Sequence, residues 1–336
     1  MAMMAMALPS VVVAQILPKF DSFEAAYAEN SPTSLVHVDL DGNGTIDIAT
    51  ANRAGGDQGL GSISVFLIGK DGSLSNPVHI DLPENDSYPR SFVAVDLDND
   101  QDFDLVTANW YSDSLTVFVN DGLANFSTYS INTLQNPTSI NALDYDNDGF
   151  MDIVAASSSS LSTNTLHFHR NNGNHTYELM VAYSIPAEPR DIEIGDLDGD
   201  QQPDIGIACR GDDQIELRFN DGNGSFVESV TIDVGYRPRS LVFADLDNDG
   251  DQDIAVAMFM DPEMAGGAWI IENKGRRNFE VAQVSVVGRA PHSIAAADLD
   301  GDCDIDLMVG HVGEQNMRLL LNDGNSLTFS LVGVSM

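Results

Sequence analysis

The pattern Asp-x-Asp-x-Asp/Asn-x-x-x-Asp occurs six times in this chain of 336 residues, at Asp39–Asp47, Asp96–Asp104, Asp144–Asp152, Asp196–Asp204, Asp245–Asp253 and Asp298–Asp306. Successive copies start 57, 48, 52, 49 and 53 residues apart. A recurrence of this period restricts the chain to repeated supersecondary units, stacked or set in a ring, because one such unit cannot bury its own apolar face. That constraint outweighs the length-based expectation of two ordinary domains.

Between the copies lies one kind of β-rich spacer. Upstream of each Asp loop runs a proline-led alternating segment: PTSLVHVD, PRSFVAVD, PTSINALD, PRDIEIGD, PRSLVFAD and PHSIAAAD. Alternation with period two predicts a half-buried strand, and a first-position proline costs no ladder donor. Short apolar runs follow each loop (DIATA, DLVTA, DIVAA, DIGIA, DIAVA, DLMVG), and then a third run such as LTVFVN or IELRFN. In most copies an Asn-Asp-Gly or Asn-Gly step closes the third run, as at Asn120-Asp121-Gly122 and Asn220-Asp221-Gly222. Such a step between alternating runs predicts a hairpin turn. A fourth strand is expected to open on an aromatic: Phe126, Tyr177, Phe226, Phe279 or Phe329. Four antiparallel strands per unit of this length make a propeller blade, and helical periodicity is absent.

The Asp loop placed between the first two strands, six times over, resembles the FG-GAP/VCBS repeat family, whose calcium-binding blades also build integrin α-subunit heads. The likeness covers residues 31–336; the literal Phe-Gly and Gly-Ala-Pro signatures are not evident. It implies an all-β fold, a β-propeller of four-stranded antiparallel blades, with one Ca2+ at each such loop. Six complete repeats point to six blades. Residues 9–30 also read as two outer strands of a further unit, which would cap the ring, help form a seventh blade, or be lent to another subunit. The segment 1–30 is therefore set apart from the propeller; its apolar, uncharged beginning (MAMMAMALPSVVVAQ) lacks the basic region of a signal peptide, although a leader remnant is a further reading.

Loop positions 1, 3, 5 and 9 offer hard oxygen ligands around a tight turn, which suits Ca2+ better than the stricter octahedron of Mg2+. The candidate ligands are Asp39, Asp41, Asn43 and Asp47 in the first loop, and Asp96, Asp98, Asp100 and Asp104 in the second. The third and fourth loops offer Asp144, Asp146, Asp148 and Asp152, then Asp196, Asp198, Asp200 and Asp204. The fifth and sixth offer Asp245, Asp247, Asp249 and Asp253, then Asp298, Asp300, Asp302 and Asp306. Position 6 is Gly44, Gly149 and Gly250 in three loops but Gln101, Gln201 and Cys303 in the others, which are expected to strain the turn and bind more weakly. An EF-hand would require Glu at position 12, where this chain has Thr50, Thr107, Ala155, Ile207, Val256 and Val309. A solvated Asp-rich turn is the rival for any single copy; six copies in register weigh against it.

The chain carries 52 carboxylates against 15 basic side chains, a formal net charge of −37. Half of the carboxylates sit in the six loops. About six structural calcium ions would leave roughly −25, so folding and metal binding are expected to be coupled. No basic stripe invites nucleic acid. Cys209 and Cys303 fall at unlike positions of non-adjacent repeats and are expected to be free thiols.

Antiparallel strands send the Asp loops to one face and the remaining connections to the other. The opposite face collects Arg90, Arg190, Arg210, Arg239, Trp110, Tyr111, His292 and His311, with Arg53, Arg237, Arg289, Tyr88 and Tyr236. The residue after each inner-strand proline (Thr33, Arg90, Thr138, Arg190, Arg239, His292) should ring the mouth of the central channel. Arginine with aromatics suits an interface with an acidic glycan or protein; neutralisation of nearby Asp86, Glu188, Asp212 and Asp213 is the competing reading. Asn85, Asn125, Asn174 and Asn223 begin exposed-looking Asn-x-Ser/Thr sequons, and Asn43 begins another inside a loop.

No catalytic constellation is visible. His167 and His169 alternate on one strand, and the Asp residues are committed to loops. The expectation is a secreted, calcium-stabilised, non-enzymatic structural or adhesive module, extracellular or at the cell surface. It has a protein or glycan partner on the Arg/aromatic face and a possible head-to-tail or strand-donating homo-polymer. A glycan-binding lectin is the alternative, and a polysaccharide lyase the third.

Overall fold

The computed structural model describes residues 28–56, 59–158, 163–259, 265–312, 317–324, 327 and 329–334. The readings placed on residues 1–27, including the donated strand and the leader, lie outside the described residues. What is described is all β, six four-stranded antiparallel sheets in sequence order. Blade 1 comprises β1 (Pro32–Val38), β2 (Asp47–Asn52), β3 (Ser62–Phe66) and β4 (Val78–Asp81). Blade 2 comprises β5 (Pro89–Val95), β6 (Asp104–Asn109), β7 (Ser114–Asn120) and β8 (Phe126–Asn132). Blade 3 has β9 (Pro137–Leu143), β10 (Asp152–Ser157), β11 (Thr165–Asn171) and β12 (Tyr177–Ser184). Blade 4 has β13 (Pro189–Gly195), β14 (Asp204–Cys209), β15 (Gln214–Phe219) and β16 (Glu228–Asp233). Blade 5 has β17 (Pro238–Ala244), β18 (Asp253–Met258), β19 (Ala265–Asn273) and β20 (Phe279–Arg289). Blade 6 has β21 (Pro291–Ala297), β22 (Asp306–His311), β23 (Met317–Asn322) and β24 (Phe329–Val334).

These sheets form a six-bladed β-propeller, with the first strand of each blade innermost and packed on its neighbour's first strand. The predicted strand starts hold: every inner strand opens on its proline, and four of the five named aromatics open an outer strand. Phe226 differs, lying two residues before β16 and fully buried. The second strands of blades 2 to 5 are buried along their length, which is why their sequences are short, small and apolar.

The core is divided among blade junctions rather than gathered at a centre. Clusters join blades 1 and 2, 2 and 3, 3 and 4, 4 and 5, and 5 and 6. In each, the fourth residue of an inner strand (Phe92, Ile140, Ile192, Leu241, Ile294) is buried. Its blade 1 counterpart, Leu35, is 56% exposed, and among the described residues no such cluster joins blade 6 to blade 1.

A second device links neighbouring blades. The Asn that ends the third strand reads in sequence as a turn residue. In the structure it is buried, and its side-chain amide donates to the preceding blade's Asp loop: Asn120 to the Leu40 carbonyl at 2.8 Å, Asn171 to Leu97 at 2.7 Å, Asn273 to Leu197 at 2.8 Å and Asn322 to Leu246 at 2.7 Å. The hairpin predicted there is correspondingly longer than two residues, with Asp121 N–H bonding to the Asn125 carbonyl. Blade 1 has Ile68 at this place and makes no such staple. Among the described residues no helix is long and apolar enough to cross a membrane.

Candidate metal centres and the opposite rim

Each Asp loop is the connection between first and second strands, closed by a ladder pair such as Val38 with Asp47 or Leu143 with Asp152. Position 9 therefore belongs to the sheet and is buried in all six copies. Its carboxylate ties the loop down: one oxygen accepts the position 2 N–H and the other an N–H at the end of the third strand. In loop 3 these bonds run from Tyr145 at 3.2 Å and from Asn171 at 2.7 Å. Position 1 accepts N–H groups from positions 5 and 6, as Asp144 does from Asp148 and Gly149. Position 6 has positive φ throughout, including Gln101 (78°), Gln201 (69°) and Cys303 (77°), so the strain expected in loops two, four and six is present. Position 4 is left-handed as well, which explains why only Gly or Asn occurs there (Gly42, Asn99, Asn147, Gly199, Asn248, Gly301).

In the first five loops, positions 1, 3 and 9 bring one carboxylate oxygen each within 4.8 Å of the others. Burial, followed by backbone bonds and neighbouring carboxylates, leaves Asp104 titrating at about 6 and Asp152, Asp204 and Asp253 at about 7. Asp98, Asp247 and Asp300 are also raised, by burial and then by the adjacent position 5 carboxylate. Buried oxygens of Asp96, Asp98 and Asp146 have no hydrogen-bond partner among the described residues. Converging carboxylates, raised proton affinity and orphaned oxygens are what a hard divalent cation would relieve, so these residues fit the ion. Position 5 stands apart from the triads in loops two to five and caps the position 7 N–H, as Asp148 does for Phe150 at 3.0 Å.

Two arginines enter this face, which sequence reading missed. Arg170 meets Asp146 at 2.8 Å and Asp148 at 3.1 Å; Arg277 meets Asp198 at 2.7 Å. Both compete with a cation for the position 3 carboxylate, so loop 3 is less free than its regular sequence suggests. Asn85, Asn125, Asn174 and Asn223 are exposed, whereas Asn43 turns inward, donating to the Ile68 carbonyl at 3.1 Å.

At the other end, the connections between blades hydrogen-bond to the turns after the second strands, as in Trp110 N–H to the Tyr88 carbonyl and Arg210 N–H to Glu188, both 3.0 Å. Every inner strand carries a bulge at the residue after its proline: Pro89 pairs with Asn109 and Ser91 with Ala108, leaving Arg90 unpaired, and the same slip isolates Thr33, Thr138, Arg190, Arg239 and His292. A bulge re-aims its side chain, and these six lie near one end of the innermost strands. The competing neutralisation is partly realised. Glu188 holds Arg210 at 2.8 Å and Arg190 at 3.3 Å. Asp86 is taken by the hydroxyls of Ser114, Thr116 and Ser130, Asp212 by the Ala187 N–H and Asp213 by the Arg237 N–H.

Arg90 and Arg239 are left without an ion pair among the described residues. Arg90 lies over Trp110 at 5.7 Å and Arg239 over Phe259 at 4.7 Å. Arg239 also reaches His292 Nε2 at 3.1 Å. Burial, then the charges of Arg210 and Arg90, hold Arg239 at about 10, and burial with Arg239 and Arg90 holds His292 at about 4, a neutral imidazole at neutral pH. Tyr88, Trp110 and Tyr111 form one cluster with centroids 4.4 to 5.8 Å apart, and Tyr111 is 62% exposed. His311 does not belong to this rim surface; it ends β22 opposite Pro291 and is buried. Elsewhere, His167 and His169 are buried and share the Thr133 hydroxyl at 2.7 and 2.8 Å, and Cys209 and Cys303 are free as expected.

Blade architecture and the loop between first and second strands together define a propeller of Asp-loop repeats. Four overlapping stretches, residues 39–107, 96–155, 144–207 and 196–256, match the FG-GAP-like repeat family, and the chain belongs to that family. No curated protein matches it. Among solved structures it is similar to a provisionally named 6-phosphogluconolactonase from Bacteroides uniformis ATCC 8492 (15% identity, 93% of this chain and 88% of that one, TM-score 0.61). It is likewise similar to Sqt1 from Chaetomium thermophilum (14%, 89% and 71%, TM-score 0.59) and to a functionally unknown protein from Desulfotomaculum acetoxidans DSM 771 (15%, 82% and 75%, TM-score 0.55). At these identities the likeness concerns the fold alone.

Proposed function

We propose that this protein is a secreted, non-enzymatic interaction module whose blades are reinforced by structural Ca2+ and whose partner docks on the arginine rim. The convergence of positions 1, 3 and 9 in the Asp loops carries the calcium part of this reading. The triad residues would hold the ion, assisted by neighbouring loop oxygens, and the ion would supply the charge that lets the loops pack. Position 9 would couple metal to fold, because its carboxylate also anchors the loop to the third strand. The opposite rim supports the docking part: its bulged arginines and exposed aromatic cluster are what interfaces use.

Terbium luminescence with competing calcium, alongside thermal unfolding in EDTA, tests the metal part. Sensitised emission lost on adding calcium supports it; unfolding that ignores EDTA removes it. Turnover of uronic-acid polymers would show an enzyme instead. The two ends differ in charge, so a head-to-tail polymer is part of the same reading, checked by electron microscopy in calcium: filaments support it and discrete particles oppose it.

A further inference from the structure

Two guanidinium groups at the channel mouth, on blades 2 and 5, have no carboxylate partner among the described residues of a chain whose net charge is −37. Each is held in place by an aromatic ring rather than by an acid. Arg239 reaches His292 of blade 6 at 3.1 Å, and Arg90 occupies the equivalent bulge of its own inner strand, at the same end of the ring. Arg210 adds to the same field, and its one carboxylate partner among the described residues, Glu188, is shared with Arg190. Two unpaired cations on rigid mounts, beside a neutral imidazole, are a receptor for an anion rather than a surface left charged for solubility.

The mouth is continuous with an apolar platform. Arg90 stacks on Trp110, which meets Tyr111 at 4.7 Å, and Tyr111 stands mostly in solvent. Trp110 Nε1 is buried without a hydrogen-bond partner among the described residues, a donor beside that platform. A free phosphate or sulfate has no use for an aromatic plate, and a flexible acidic peptide has little. A pyranose ring offers both a flat C–H face for stacking and a rigid attachment for an acidic group.

We propose that the channel mouth on the arginine rim binds an acidic saccharide, its sulfate or carboxylate between Arg90 and Arg239 and a sugar face against Tyr111. This rests on the reading of the rim as the docking end and names the class of ligand it takes.

Calorimetry on the calcium-loaded full chain tests it with four probes: a sulfated tetragalactose, tetragalacturonate, neutral tetragalactose and tetraglutamate peptide. One or both acidic sugars should bind, the stronger identifying the acidic group, while the neutral sugar and the peptide bind at least about tenfold more weakly. Arg90→Ala with Arg239→Ala, and separately Tyr111→Ala, should each weaken the acidic sugar about tenfold or more, with melting temperature in calcium unchanged. Absence of binding by both acidic sugars overturns the assignment. So does tetraglutamate binding as tightly, or affinity that survives the paired arginine change. A melting curve indifferent to EDTA, or turnover of the sugars, fails the module reading instead and leaves the binding result to stand by itself.

Discussion

The two ends of the propeller are built on opposite rules. At the Asp-loop end the same geometry recurs in all six blades, and nearly every carboxylate already answers to a backbone N–H of its own loop or strand. At the arginine end the bulge recurs but its occupant does not: Thr33, Arg90, Thr138, Arg190, Arg239 and His292 follow one another round the ring. A feature repeated in every unit serves what every unit needs, a closed blade.

Metal removal is the hardest test of that contrast. Each occupied site at a calcium concentration a hundredfold above its dissociation constant contributes about 2.7 kcal/mol. Stripping several sites should lower the melting temperature by about 10 °C or more in calorimetry. An unmoved transition would make the Asp end ornamental and erase the comparison.

Between the ends, Glu193 on the inner strand of blade 4 bonds to the Phe243 backbone of blade 5 and is pushed up to about 8, first by burial and then by Asp191, itself raised by burial to about 6. Its folded pKa lies above the unfolded value, so its contribution is fully present below about pH 4.5 and is lost as pH rises towards 8. Glu193→Gln should therefore match the parent protein near pH 4.5 and exceed it near pH 8, by on the order of 2 kcal/mol in urea unfolding. A parallel pair of pH profiles would place an unseen partner on Glu193.

Asn171→Ala removes the donor to the Leu97 and Met151 carbonyls and should cost about 1–3 kcal/mol. Asn220→Ala should cost less, because the Asn220 side-chain nitrogen has no partner among the described residues, while its oxygen accepts the Gly222 N–H at 3.0 Å just as Asn171 accepts that of Gly173. Equal losses at the two sites would mean that the staple is not what holds neighbouring blades. The smallest effect belongs to the other end: Arg90→Ala with Arg239→Ala should change stability by less than about 1 kcal/mol, lost stacking being offset by relieved repulsion. A larger loss would turn the rim arginines into structural residues.

Repeat number, blade order and strand starts were legible because apolar alternation and the Asp pattern are local signals. The clustering of positions 1, 3 and 9 and the strained position 6 were legible for the same reason, whereas position 5, read as a fourth ligand, stands apart in loops two to five. What was misread is instructive. Asn120 and its counterparts look like turn formers, yet their amides act across a blade junction, onto a residue about 75 positions away. Once blades are aligned, the substitution of Ile68 at that column marks blade 1 as different, in step with its exposed Leu35. His311 sits in a strand's last position and looks exposed by sequence, but ladder pairing with Pro291 covers it.

By itself the sequence determined the period, the all-β blades and the Asp loops, since each depends on residues within one repeat. Only the tertiary structure decided which arginines are spent on Glu188 and which have no ion pair among the described residues. Arg90, Arg190 and Arg239 each follow an inner-strand proline and look alike in sequence, but the folded blade gives Arg190 the Glu188 carboxylate and gives Arg90 and Arg239 only the rings of Trp110 and Phe259. Charge acts through space, and the ring brings together at its mouth residues that the chain keeps about fifty or more positions apart.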